Sequence, residues 1–208
     1  MPEPIRARRL KPKPSSGFVI HEPKQIAEET ARRFWEEYDA GLRTGKIMMP
    51  PWKRRVVRFS ASQAATVREF ASAEEFEYGL RMAIKLPKRI MEMKPESFEL
   101  QPVEILSIDR AKLRYAEKVY PAPTIQDILF GAGLKDRSRY LPFFEKKMAR
   151  KGVNPQQVRS AIWNAWRELT RIQVHPDMAT SNFLVLDIDK STGKALLAIV
   201  DYTDSKKV

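Results

Sequence analysis

The sequence predicts an α+β protein folded as two compact lobes, the first rich in strands and the second rich in helices. Three observations carry this. Alternating apolar segments at 55–60 (RVVRFS) and 65–71 (ATVREFA) read as strands and lie beside amphipathic helices. A rigid connector, Tyr120-Pro-Ala-Pro123, follows two further strand-like segments. Behind it come helices, a polar loop and a hairpin, so strands and helices fall into separate blocks.

The order of elements divides the chain into a basic extended arm at 1–22, a β-rich lobe with a leading helix at 23–119, and a small helical lobe at 120–208. Prolines interrupt the cationic start of the arm and prevent a helix there. Residues 23–44 repeat Ile26, Ala27, Ala31, Phe34, Trp35, Tyr38 and Leu42 at helical spacing, and Gly45 stops the helix. After the two strands, Ser72-Ala-Glu-Glu75 is a capping box that opens a helix expected to end before Pro87. Strands are expected at 98–108 and 112–119, with Asp109-Arg110 at their turn. Thr124-Ile-Gln-Asp127 caps a short helix that Gly131 and Gly133 stop, and 136–151 forms a basic helix ended by Gly152. Asn154-Pro155 then opens a helix to about Gln173, with Val158, Ile162, Ala165, Leu169 and Ile172 as its core stripe. Trp163 and Trp166 flank that stripe and read as core packing. Strands at 183–188 and 195–200 form a hairpin around Asp189-Lys-Ser-Thr-Gly193.

Composition narrows the function. The chain has no cysteine, which excludes disulfides, thiolate zinc sites and cysteine nucleophiles, and only two histidines, His21 and His175. No apolar run approaches a membrane span, and no apolar segment follows the basic start, so a cytoplasmic protein without a membrane partner is expected. Thirty-eight Lys+Arg against 26 Asp+Glu give a net charge of +12, which points to a polyanionic partner. The basic runs at 6–13, 53–58, 85–94 and 135–151 could supply that face, with Arg8, Arg9, Lys53, Arg54, Arg55, Lys146, Lys147, Arg150 and Lys151 as candidates for contact with RNA.

The chemistry concentrates after the long helix. Asp177 precedes Asn182 by five residues, an apolar strand follows, and a second apolar strand ends in Val200-Asp201-Tyr202. An antiparallel pair over 183–200 would bring Asn182 and Asp201 side by side. A carboxylate able to accept a hydroxyl proton, beside an amide oxygen and a second carboxylate able to hold magnesium, is the equipment phosphoryl transfer needs.

His175-x-Asp177-x-x-x-x-Asn182 resembles the catalytic loop of protein kinases, and Asp201-Tyr202 stands where those proteins carry Asp-Phe-Gly. The filling, Asp177-Met-Ala-Thr-Ser-Asn182, resembles the Asp-Leu-Thr-Thr-Ser-Asn of the small kinase of the KEOPS tRNA-modification complex, a compact atypical kinase like the RIO kinases, with the archaeal tRNA 2′-O-kinases as a related group. The resemblance is strong over 154–203 and is one of element order back to about 65. It implies a compact bilobal kinase-like fold with an extra N-terminal helix and a truncated C-lobe, since the sequence runs seven residues beyond Asp201. It implies ATP and Mg2+, with Asp177 catalytic, His175 beside it as a hydrogen-bonding residue, and Asn182 and Asp201 as metal ligands. It places nucleotide contacts at Arg68, Glu77, Glu117 and Val119, with Glu75 or Glu77 as the partner of Arg68. It implies an RNA acceptor, a tRNA 2′-hydroxyl foremost, with an atypical serine/threonine kinase or a non-catalytic RNA-binding module as alternatives. The sequence departs from the pattern in having Ser60-Ala-Ser-Gln63 instead of a glycine-rich loop, and Arg68 where kinases carry lysine.

Overall fold

A computed structural model describes residues 17–18, 27–47, 54–60, 63–131, 139–172 and 179–200. Its elements are α1 (Glu28–Arg43), β1 (Arg54–Ser60), β2 (Gln63–Glu69), α2 (Ala73–Glu92), β3 (Phe98–Leu100), β4 (Ile105–Asp109), β5 (Arg114–Lys118), α3 (Ile125–Phe130), α4 (Leu141–Arg150), α5 (Pro155–Ile172), a 3-10 turn at Thr180–Asn182, β6 (Phe183–Ile188) and β7 (Ala195–Ile199). The protein is mixed α and β. No described helix is long and apolar enough to cross a membrane.

Two small sheets organise the chain. The first is antiparallel with strand order β1-β2-β5-β4; the second has order β3-β7-β6, with β3 parallel to β7 and β6 antiparallel to it. Alternation along β2 and β5 sends Ala65, Val67 and Ala116 to one face of the first sheet, where they meet Phe34 and Tyr38 of α1. Helix α1 therefore covers this face of the first sheet. Tyr115 faces the opposite side and packs on Phe76 and Leu80 of α2.

Helix α2 has 20 residues and so spans about 30 Å. Its first half serves the first sheet, and its second half, through Ala83, Leu86 and Ile90, enters the large core with α5, β6 and β7. The expected stop before Pro87 is not observed: Pro87 lies inside the helix and is buried. Proline there forfeits one backbone hydrogen bond. Burial of Leu86 and Ile90 on either side, worth about 1.5–3 kcal/mol each, outweighs that loss.

The strand expected over 98–108 is two strands in two different sheets. Pro102 has no N–H to continue a ladder, so the chain leaves the second sheet after Leu100 and joins the first at Ile105. Gln101 N–H still donates to the carbonyl of Leu197 (2.8 Å), and Glu104 accepts from Lys118 N–H (2.9 Å), so the crossing is bonded at both ends. As a result β3 belongs to the second sheet although it lies well before residue 120.

Local signals set the remaining helix ends. Ser72 Oγ accepts from Glu75 N–H; Thr124 and Asp127 form a reciprocal capping box, and Asn154 and Gln157 form another. Gly131, at φ +66°, ends α3 in the left-handed conformation that glycine adopts without strain.

Candidate functional site

The two sheets meet at a polar seam. Thr66 is opposite Glu117 in the β2–β5 register, which puts Arg68 and Glu117 diagonally across one face of the first sheet. Both residues are buried, at 4% and 5% exposure. Arg68 Nε donates to Glu117 Oε1 at 2.9 Å, and Arg68 Nη2 donates to the carbonyl of Val200 at 2.5 Å, just beyond the end of β7. Val200 N–H in turn donates to the carbonyl of Asn182 at 2.9 Å. One guanidinium thus links a strand of the first sheet to the point in the second where β6 begins and β7 ends. Removing one partner of such a buried pair strands the other charge, whereas removing both costs little, so its value lies in fixing one arrangement.

Around the seam lie more buried polar groups. Lys118 Nζ pairs with Glu104 Oε2 at 2.7 Å and sits over the ring of Tyr120. The Tyr120 hydroxyl is buried without a hydrogen-bond partner among the described residues, and burial, with the carboxylates of Glu104 and Glu117 adding to it, pushes its pKa up. Beneath the connector is a cavity of about 20 Å³ lined by Thr66, Glu117, Val119, Tyr120, Leu184 and Val200. It has room for about one water and none for a ligand of the usual several hundred Å³. A second, wider groove of about 710 Å³ lies between Phe18, Tyr120, Lys147, Lys151, Asp187 and Asp189.

The residues expected from the sequence are distributed as follows. Asn182 is half-buried in the 3-10 turn that opens β6, with Ser181 Oγ at 3.4 Å from its amide oxygen. His175, Asp177 and Asp201 lie outside the described residues, as do Arg8, Arg9 and Lys53. Arg54 and Arg55 are on β1, opposite Arg68 and Val67. Glu77 does not partner Arg68: it is exposed on α2 and pairs with Arg110, while Glu75 accepts from Ala71 N–H at the helix start. Glu117 takes the place expected for them, because it projects from the neighbouring strand on the same face and α2 at that height presents Phe76 and Leu80. The N–H of Val119 donates to the carbonyl of Ala64 at 3.1 Å and is committed to the sheet. Lys147 and Lys151 both reach Asp187, at 3.2 and 2.6 Å, and Lys147 also donates to the carbonyl of Leu186. Lys146 and Arg150 are exposed and make no ion pair with described residues.

Among the described residues, no group of three His, Cys, Asp or Glu side chains is placed to hold a metal ion. The oxygen donor that the described part of the site offers a hard cation is the amide of Asn182, a ligand type magnesium accepts.

Two features were not anticipated. Arg114, 2% exposed, holds Asp39 of α1 through two bonds (2.6 and 3.0 Å) and Asp109 through a third (2.9 Å), under the ring of Trp35 at 4.4 Å. These bonds, Arg114 first among them, hold the Asp39 carboxyl at a pKa of about 2. Trp163, expected in the core, is 47% exposed and belongs to none of the core clusters. An aspartate directly after a helix's Trp-x-x-Tyr gives no sign of its arginine in sequence, because the two are 75 residues apart; the exposure of Trp163 was legible only as its position at the margin of the apolar stripe.

No protein-family model matches the chain, and no curated protein matches it in sequence.

Proposed function

We propose that the protein is an ATP-dependent phosphotransferase that moves a γ-phosphate to a hydroxyl of RNA, with a tRNA 2′-hydroxyl as the favoured acceptor. The observation that carries the reading is the seam: Arg68 bridges Glu117 and the carbonyl of Val200, and Val200 bonds to Asn182. Asp201 follows Val200 by one peptide unit, about 3.8 Å from Cα to Cα. In this reading Asp177 accepts the proton of the attacking hydroxyl as its oxygen bonds to the γ-phosphorus and the bond to the ADP oxygen breaks. Asn182 and Asp201 would hold Mg2+, which supplies charge neutralisation on the phosphate oxygens when bound. Arg68, buried and bonded to Glu117 and to the carbonyl of Val200, positions the end of β7 instead of gripping phosphate. The net charge of +12 supports RNA as the acceptor.

A specific observation favours a second reading, a kinase-derived RNA-binding module without turnover. The cavity under the connector is about 20 Å³ and the N–H of Val119 is already bonded, so a nucleotide base could enter there only if the two sheets parted. Incubation with γ-labelled ATP and total tRNA separates the readings. Label in tRNA, lost in Asp177→Asn, is the expected result. Label in protein alone turns the reading to a serine/threonine kinase. No transfer, with tRNA still bound, leaves the binding module.

A further inference from the structure

Helix α5 ends at Ile172, five residues before Asp177 in sequence, and its outward face carries a pattern that the fold does not use. Val158, Ala161, Ile162, Ala165 and Leu169 are buried on one side. At 100° per residue, Arg159, Trp163, Arg167 and Arg171 follow one another at steps of four along the opposite side, and all four are exposed. Gln156, Ser160, Asn164 and Thr170 fill the rest of that arc and are exposed too. The helix has one carboxylate, Glu168, and it is consumed elsewhere: its two oxygens accept the N–H groups of Glu96 and Ser97, each at 2.7 Å. Arg159 donates one bond to the carbonyl of Leu129, whereas the guanidinium groups of Arg167 and Arg171 make no hydrogen bond or ion pair with described residues. Trp163 therefore stands in solvent between cations, on an arc with no acid.

We propose that this face of α5 docks RNA, with Trp163 stacking on an unpaired base and Arg167 and Arg171 meeting the phosphates that follow it toward the C-terminal end of the helix. The proposal rests on the RNA reading above and names the surface that would deliver the acceptor. Charge complementarity selects the occupant. A protein partner would need acidic groups to answer three arginines around one indole, whereas single-stranded nucleic acid supplies a phosphate at every step and a π-face on every base. The axial separation of Trp163 and Arg171, about 12 Å, suits a short stretch of unpaired strand. This surface is distinct from the α4 basic run, where Lys147 and Lys151 are already tied to Asp187.

Binding of the full chain to total tRNA, followed by fluorescence anisotropy across a salt series without ATP, tests the proposal. Trp163→Ala should weaken binding about 5- to 100-fold, the loss expected for one stacked base, and Trp163→Phe should restore most of it. Arg167→Ala with Arg171→Ala should lower the slope of log K against log salt by about 1.4. All three positions are exposed, so circular dichroism should be unchanged. Wild-type affinity and slope in these variants overturn the proposal, as does a wild-type protein that does not bind tRNA. Loss of self-association in sedimentation with tRNA affinity intact also overturns it, and assigns the face to a second copy of the chain. Binding that depends on Trp163 without any label transfer to tRNA sinks the phosphotransferase reading and leaves the docking face standing.

Discussion

The two sheets are built on opposite principles. The second is apolar: every residue of β7 is buried, Phe183, Val185 and Ile188 of β6 complete a core with α5 and the far half of α2, and Leu184 packs with Ala122 and Ala198. The first sheet buries charge. Arg68, Glu117 and Arg114 are each at most 5% exposed and each is paired. Apolar burial is non-directional, so it makes a firm platform but accepts small shifts. A buried ion pair adds little net stability but tolerates only one geometry. The contrast teaches a division of labour. The apolar sheet carries Asn182 and Val200 at its end, and the charged sheet fixes where that end sits.

The largest expected effect breaks the charged side. Arg68→Ala takes the guanidinium away from the buried Glu117 carboxylate, and Glu117→Ala takes the carboxylate away from Arg68, so each should cost about 3–5 kcal/mol in chemical denaturation. The paired replacement Arg68→Met with Glu117→Leu should recover most of that loss. If stability returns in the pair but transfer to tRNA does not, the pair serves position; if the pair is as unstable as the singles, the division of labour fails. On the apolar side, Leu197→Ala removes a fully buried side chain and should cost about 2–4 kcal/mol, with no rescue by any change in charge.

The same contrast explains what could be read in advance. The β6–β7 hairpin, the caps at Ser72, Thr124 and Asn154, and the stop at Gly131 are local events, and each declares itself within a few residues of sequence. What depends on distant partners was not legible. Helicity through Pro87 follows from a core assembled by six other elements, and the split of 98–108 becomes necessary only once β7 is there to receive β3. The choice of Glu117 over Glu75 or Glu77 for Arg68 is a matter of strand register, which no spacing along α2 reveals. The indole of Trp163 sits at the edge of its helix's apolar stripe, and periodicity alone does not say which margin a neighbour covers.

The smallest effect tests whether buried charge in the first sheet holds α1 as well as the seam. Asp39 is ordinarily a carboxyl of pKa 3.8 and is held at about 2, by hydrogen bonds from Arg114 and then Lys112, against the opposing effect of burial. A carboxyl whose pKa is lowered in the folded state stabilises that state above its unfolded pKa and stops doing so as pH falls toward the folded value. The contribution should therefore be whole above about pH 4 and fade toward pH 2, and at 18% side-chain exposure it is about 1–2 kcal/mol after allowance for solvent. Asp189 is also lowered, since bonds from Ser191 and the N–H of Gly17 together outweigh its burial, so acid unfolding of the wild type mixes two sites. The measurement is a difference: Asp39→Asn against wild type, by denaturation from pH 5 to pH 2. The variant should be less stable at pH 5 and converge on the wild type near pH 2, because protonated Asp39 is equally uncharged. Parallel curves would mean that α1 is held by Phe34 and Tyr38 alone, and that the first sheet's charges matter only where they meet the second.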